Sequence, residues 1–333
     1  MCSSDLYVMT PMLSLPVNGR YGSVITTVGV QQSFYGTDTY SKIDSSEPKQ
    51  DGEYQTIPSL QVDASSEMDR VFKLAPSMTP SKETVGDSRW TAVRHTVQPR
   101  MRYRNIPLKD QHENPRYDDG DRIRPINELA YSVTNILTRK REQVVAVKPE
   151  KDNKEPEAAV RGDYLDVVRL TLEQAYDIRE SARTDKREAY ERRPFSDIMA
   201  ELEISFDEFV SFTSRSYWSP YLNAFSKHDH GISLNVPNWG SFYTGLGYRR
   251  SIHEYTREHA DEIKTLTVSG ALHLWGPWQT NFRYSHDYER SQNVDRVFEL
   301  IYNHQCFQIA GVFSKDYYEE HYGIRIVLTG LGD

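Results

Sequence analysis

The chain has 333 residues and a net charge of −8; hydrophobic residues make up only 38 % of it, yet aromatics reach 12 % with 22 Tyr. That is too little apolar material for a compact core of this size, while a disordered chain would be short of aromatics. The acidic balance argues against a nucleic-acid partner, which needs a basic stripe, and no apolar run approaches the roughly 18 to 20 residues of a membrane-spanning helix.

In chain order, Met1 to Leu6 (MCSSDL) is polar and is followed by LYVMTPMLSLP, which has neither a basic start nor a small-residue cleavage site. Residues 1–6 read as a translated sequencing-adapter end joined to the interior of a gene, which discounts Cys2 and expects a targeting segment upstream. Beyond them, period-2 alternation recurs along the whole chain. In Ile263 to Trp275, Leu266, Val268, Leu272 and Leu274 share one face and Thr265, Thr267, Ser269 and His273 the other. Val168, Leu170 and Leu172 oppose Arg169, Thr171 and Glu173 in the same way, and Leu202, Ile204 and Phe206 oppose Glu201, Glu203 and Ser205.

The same rule predicts about 15 strands, near residues 7–15, 21–35, 53–70, 90–104, 126–139, 161–177, 195–207, 209–219, 222–236, 239–251, 262–275, 277–290, 293–303, 304–315 and 320–329. Many exceed the 5 or 6 residues usual in globular sheets and match the roughly 9 to 11 that cross a bilayer at a tilt. The fold class expected is therefore all-β: an antiparallel transmembrane outer-membrane β-barrel, wet inside and greasy outside.

Short turns at Gly276–Pro277, Pro237–Asn238 and Asn303–His304 interleave with longer polar loops at 36–52, 105–125, 178–194 and 252–261. The alternation requires 71–89 and the Lys/Glu-rich 140–160 to be long connections on the short-turn side, the second as a polar insertion. Pro58 and Pro99 fall inside strands, where each removes a ladder donor; that demotes the strand or marks a bulge.

Two regions carry blocks of motif. The first runs through IPSLQVDASSEMDR (57–70), RHTVQPRMRYRNIPLKDQ (94–111) and DRIRPINELAYSVTN (121–135), which resemble the LptD (OstA/Imp) family of lipopolysaccharide-assembly proteins. Its family-motif positions are His95, Thr96, Pro99, Arg100, Asp121, Arg122 and Asn127, with Gln98 where the family usually has Glu. The second is C-terminal: CFQIAGVFS (306–314) and GIRIVLTGLG (323–332).

The resemblance implies a barrel of about 26 strands, of which residues 7–333 hold roughly the last 15. The periplasmic jelly-roll domain and the first strands would lie outside this chain. It further implies lipopolysaccharide as cargo, an LptE-like lipoprotein plug, and a periplasmic Lpt bridge reaching the barrel through the N-terminal domain, all at the outer membrane of a Gram-negative cell. A lateral gate would lie at the last strand, here Gly323, Ile324, Arg325, Ile326, Val327 and Leu328, with Ile324, Ile326 and Leu328 toward lipid and Arg325, Val327 and Thr329 toward the lumen. His321, Gly323, Ile326 and Leu328 also resemble the signal read by barrel-insertion machinery.

Cys306 stands where family members carry the second of two adjacent cysteines that pair with the N-terminal part, so the resemblance implies a disulfide; a small buried or lipid-facing thiol is the alternative. The chemistry-like patterns read as bland. His253 and His259 lie six apart, and His228 and His230 share a strand face without a third ligand. Gly245–Leu246–Gly247 opens no helix. No catalytic residue, metal or cofactor is assigned, and the chain reads as a transport component. A porin or siderophore-receptor barrel is the alternative function, and a soluble secreted carbohydrate-binding β-protein a more distant one.

Overall fold

The computed structural model describes residues 4–37, 53–111, 123–147, 157–184, 192–252, 259–316 and 318–328. Almost all of them are strand: β1 (Ser4–Met9), β2 (Met12–Gly19), β3 (Gly22–Thr37), β4 (Glu53–Ser65), β5 (Met68–Lys73), β6 (Ser88–Ile106), β7 (Ile126–Val147), β8 (Glu157–Asp177) and β9 (Ile198–Ser205). There follow β10 (Val210–Ser219), β11 (Ala224–Val236), β12 (Gly240–Ile252), β13 (His259–His273), β14 (Trp278–Asp287), β15 (Gln292–Asn303), β16 (Phe307–Asp316) and β17 (Glu320–Leu328). A 3-10 turn at Lys82–Thr84 and one helical turn at Ile178–Ser181 are the helical pieces described.

Every pairing is antiparallel and the sheet is a meander, because each reversal needs only a turn. The 17 strands form 15 ribbons, as expected. β1 and β2 lie end to end on β3, and β4 and β5 end to end on β6. The second break has a local cause. Between Ser65↔Arg100 and Met68↔Val97 the edge bends opposite Pro99, which lacks an N–H, while the Pro99 carbonyl accepts Ser66 N–H at 3.1 Å. Pro99 therefore marks a bulge and leaves its strand intact. Among the described residues the registers end at β2 on one side and β17 on the other, and the sheet is not closed.

The 140–160 connection is corrected. Lys140 to Val147 continue β7 and Glu157 to Val160 begin β8, paired from Lys140↔Tyr164 to Val147↔Glu157, leaving only 148–156 outside the described residues. The charges that read as a loop are strand charges: Arg141 meets Asp163 at 3.2 Å and Glu208 at 3.6 Å. Residues 74–87, expected as a connection, fold back over this extension. Gly86 N–H donates to the Val144 carbonyl at 2.9 Å, Val144 N–H to the Asp87 carbonyl at 3.0 Å, and Met78 N–H to the Glu142 carboxylate at 2.8 Å. Arg139, only 3 % exposed, lies 5.3 Å over the Trp90 ring and 3.3 Å from Asp207. The strand expected at 304–315 starts later, at Phe307, so Cys306 sits in the β15–β16 turn, where its thiol is exposed and not buried.

The sheet has no conventional core. Ile57, Ile136, Val144, Ile301 and Ala310 are the buried apolar residues among those described, against a far longer series of exposed large ones. Contiguous exposed apolar surface on this scale marks an interaction with another medium or molecule. The two faces divide cleanly. One carries Leu234, Phe242, Phe282, Phe298 and Tyr322, the other Ser233, Tyr243, Ser269 and Arg283.

Candidate functional site: the polar face and the free last strand

The polar face is tied strand to strand by side-chain bonds. Ser23 meets Ser65 at 3.0 Å, Arg104 Glu128 at 2.8 Å, Thr134 Thr171 at 3.0 Å, Thr138 Asp166 at 2.7 Å, Arg215 Glu201 at 2.9 Å, and Thr267 Ser285 at 3.1 Å. Such cross-strand pairs need polar residues at matching register on one side only, which period-2 alternation supplies.

The family-motif positions gather in part around the β4–β5 bulge. Arg100 forms a forked ion pair with Asp63, and Arg102 reaches the same carboxylate at 3.3 Å. Gln98 donates to Glu67 at 2.8 Å. Asp63, Glu67, Gln98, Arg100, Thr134 and Glu173 wall a polar recess of about 670 Å³. Thr96 lies on the same face, 3 % exposed. His95 and Asn127 point to the other side: His95 Nε2 is 3.3 Å from Asn135 Oδ1, and Asn127 Oδ1 accepts the Tyr103 hydroxyl at 3.1 Å. Asp121 and Arg122 lie outside the described residues, as do His253 and Thr329.

Asp63, in the stretch 57–70, is not among the motif positions read from sequence. Its partner Arg100 stands 37 positions on in the stretch 94–111, so the bond that joins these two stretches depends on strand register, which one sequence does not disclose.

The last strand keeps the alternation expected of it. Ile324 (78 % exposed), Ile326 and Leu328 line the apolar face, with Arg325 and Val327 opposite, and β17 is hydrogen-bonded on one side, to β16 alone, among the described residues. Arg325 reaches across β16 to Glu299 on β15 at 3.3 Å, and Glu299 in turn accepts from Asn281 on β14 at 3.0 Å. This row braces the free edge to the sheet behind it. Arg325→Glu should therefore lower the urea midpoint of the detergent-solubilised protein, by an amount equivalent to about 1 kcal/mol of unfolding free energy, since the pair is partly exposed. The swap Arg325→Glu with Glu299→Arg should restore it; an unchanged midpoint in the single variant would show that the brace carries no stability.

A family model, LptD: LPS transport system D, matches residues 7–278. The chain belongs to the LptD family. Two proteins named LPS-assembly protein LptD are similar to it. That of Psychrobacter arcticus is 24 % identical over 325 residues, covering 92 % of this chain and 32 % of the relative. That of Psychrobacter cryohalolentis is 22 % identical over 319 residues, covering 92 % and 29 %. The chain thus spans about a third of the length of these LptD relatives. The LptD match includes the Asp63–Arg100 cluster and stops short of β17, so the braced edge falls outside the matched residues.

Proposed function

We propose that this chain is a membrane-spanning part of a lipopolysaccharide-transport barrel in the outer membrane, with the polar face lining the lumen and the apolar face against lipid. The observation that carries this reading is the pair of aromatic girdles on the apolar face. On the short-turn side Trp278 and Tyr302 lie opposite each other on that face, with exposed Trp239 and Trp275 in the turns beyond; near the long loops lie Tyr248, Tyr284 and Tyr288. From Trp278 to Tyr288 the chain advances by about ten residues, which matches the roughly 9 to 11 needed to cross a bilayer on a tilted strand. Short turns then face the periplasm and long loops the exterior.

Among the described residues both edges, β2 and β17, hold unpaired backbone groups that hydrocarbon does not tolerate, so they are where further strands of a longer barrel would add. The seam at β17 is read as the lateral gate, through Gly323, Ile324, Arg325, Ile326, Val327 and Leu328: sugar passes along the polar lumen while acyl chains leave between strands. An LptE-like lipoprotein would occupy the lumen, and the periplasmic bridge would deliver lipopolysaccharide from the short-turn side. Cys306, exposed at that rim, is placed where a bond to a periplasmic domain could form. No bond making or breaking is assigned to any residue.

Depleting the full-length protein should remove newly made lipopolysaccharide from the cell surface, read by surface labelling, and re-expression should restore it. Undiminished export after depletion would overturn the function. A cysteine introduced at Ile324 that cross-links normally to a first-strand cysteine without slowing export would overturn the gate alone.

A further inference from the structure

Four strands place one residue each in a single row on the apolar face: Tyr284 on β14 lies opposite Arg296 on β15, Arg296 opposite Lys315 on β16, and Lys315 opposite Glu320 on β17. Two cations directly opposite each other across a strand pair repel, and nothing in the row neutralises both. Glu320 pairs with Lys315 at 3.3 Å, so it is taken. Arg296 lies 5.5 Å over the Tyr284 ring, and its Nε is covered from solvent without a hydrogen-bond partner among the described residues. A guanidinium flattened on an aromatic ring, with a donor unused and a like charge beside it, is arranged for an anion that binds both cations.

The neighbouring rows say what carries that anion. Toward the long loops lie His286, Lys264 and the Tyr288 ring, all polar or interfacial. Toward the short turns the next row is Phe282, Phe298, Phe313 and Tyr322, followed by Leu300 and Ile324. A ligand seated here therefore has a phosphate-like head at the cation row and hydrocarbon directly below it. We propose that Arg296 and Lys315, with the Tyr284 ring under Arg296, bind the phosphorylated headgroup of a membrane lipid in the leaflet at the long-loop end, on the outward wall two strands from the free edge. The site rests on the membrane placement proposed above and adds to it a specific lipid contact outside the lumen, beside the seam.

The test uses the full-length protein extracted from its own membrane in mild detergent, with bound phosphorylated glycolipid counted by native mass spectrometry. Arg296→Ala with Lys315→Ala should retain roughly thirtyfold less lipid than wild type, and Arg296→Lys with Lys315→Arg should retain it, since each basic side chain near an anionic surface contributes about 1 kcal/mol. Treating the lipid with a phosphatase should release it from the wild-type protein, whereas millimolar inorganic phosphate should not. Equal lipid retention in the double-alanine variant, with normal membrane insertion by heat-modified gel mobility, would overturn the site and leave the membrane reading standing. Displacement by inorganic phosphate would make it a free-anion site and overturn the lipid assignment. Recovery of the wild-type chain as a detergent-free soluble particle would overturn both readings.

Discussion

Gly240→Val is expected to prevent folding of the β11–β12 hairpin and with it recovery of the folded protein. Gly240 has φ +121°, a region that L side chains rarely adopt, and a Cβ built there would stand 2.0 Å from the Ala271 carbonyl oxygen of the neighbouring strand. The turn leaves no slack. Trp239 N–H donates to the Val236 carbonyl at 3.0 Å and the Trp239 carbonyl accepts from His273 N–H at 2.9 Å, while Asn238 already holds φ +66°. Strain and backbone collision together cost about 3 to 5 kcal/mol, near the top of what single substitutions do. The folded, heat-modifiable gel band should disappear. Gly276, with φ +53° and nothing within 4 Å of its built Cβ, makes the contrast: Gly276→Asn should fold normally.

The second large effect is expected at Asp63. Its side chain is 11 % exposed and is the shared partner of Arg100 and Arg102, which are adjacent on the polar face of β6. Asp63→Ala leaves two neighbouring guanidiniums without the carboxylate they share, with Glu173 across the recess remaining as an anion near Arg100. Full burial would make that loss severe, but the arginines are 48 % and 34 % exposed and keep water, so a cost of about 1 to 3 kcal/mol is expected. Urea titration of the solubilised protein checks it, with Asp63→Glu losing less. A silent Asp63→Ala would mean that the cluster does not hold the bulge in place, and the family-motif positions would need another explanation.

Local pattern carried most of the fold. Alternation depends on residues two apart, so the greasy and wet faces of β13, and those of β17 from Ile324 to Leu328, were legible from sequence. The error at 140–147 has a physical reason. Arg141 and Glu142 looked like a solvated loop because lipid-height strands exclude such charges, whereas this stretch continues past that height and meets Asp163, Glu208 and the Met78 backbone. The site was less legible. Asp63 with Arg100, Glu299 with Arg325, and Arg296 beside Lys315 are contacts of register between strands, and a single sequence shows which residues share a face without showing which lie opposite.

The tall central hairpins have a mechanical consequence. β8 carries Glu157 to Val167 past the last pairing with β9, about ten residues or roughly 35 Å of strand, while the β9–β10 turn closes at 206–209. The edge of the sheet on that side is stepped. A body resting on that edge would meet a wall of paired strand at β7–β8 and only a low turn at β9–β10.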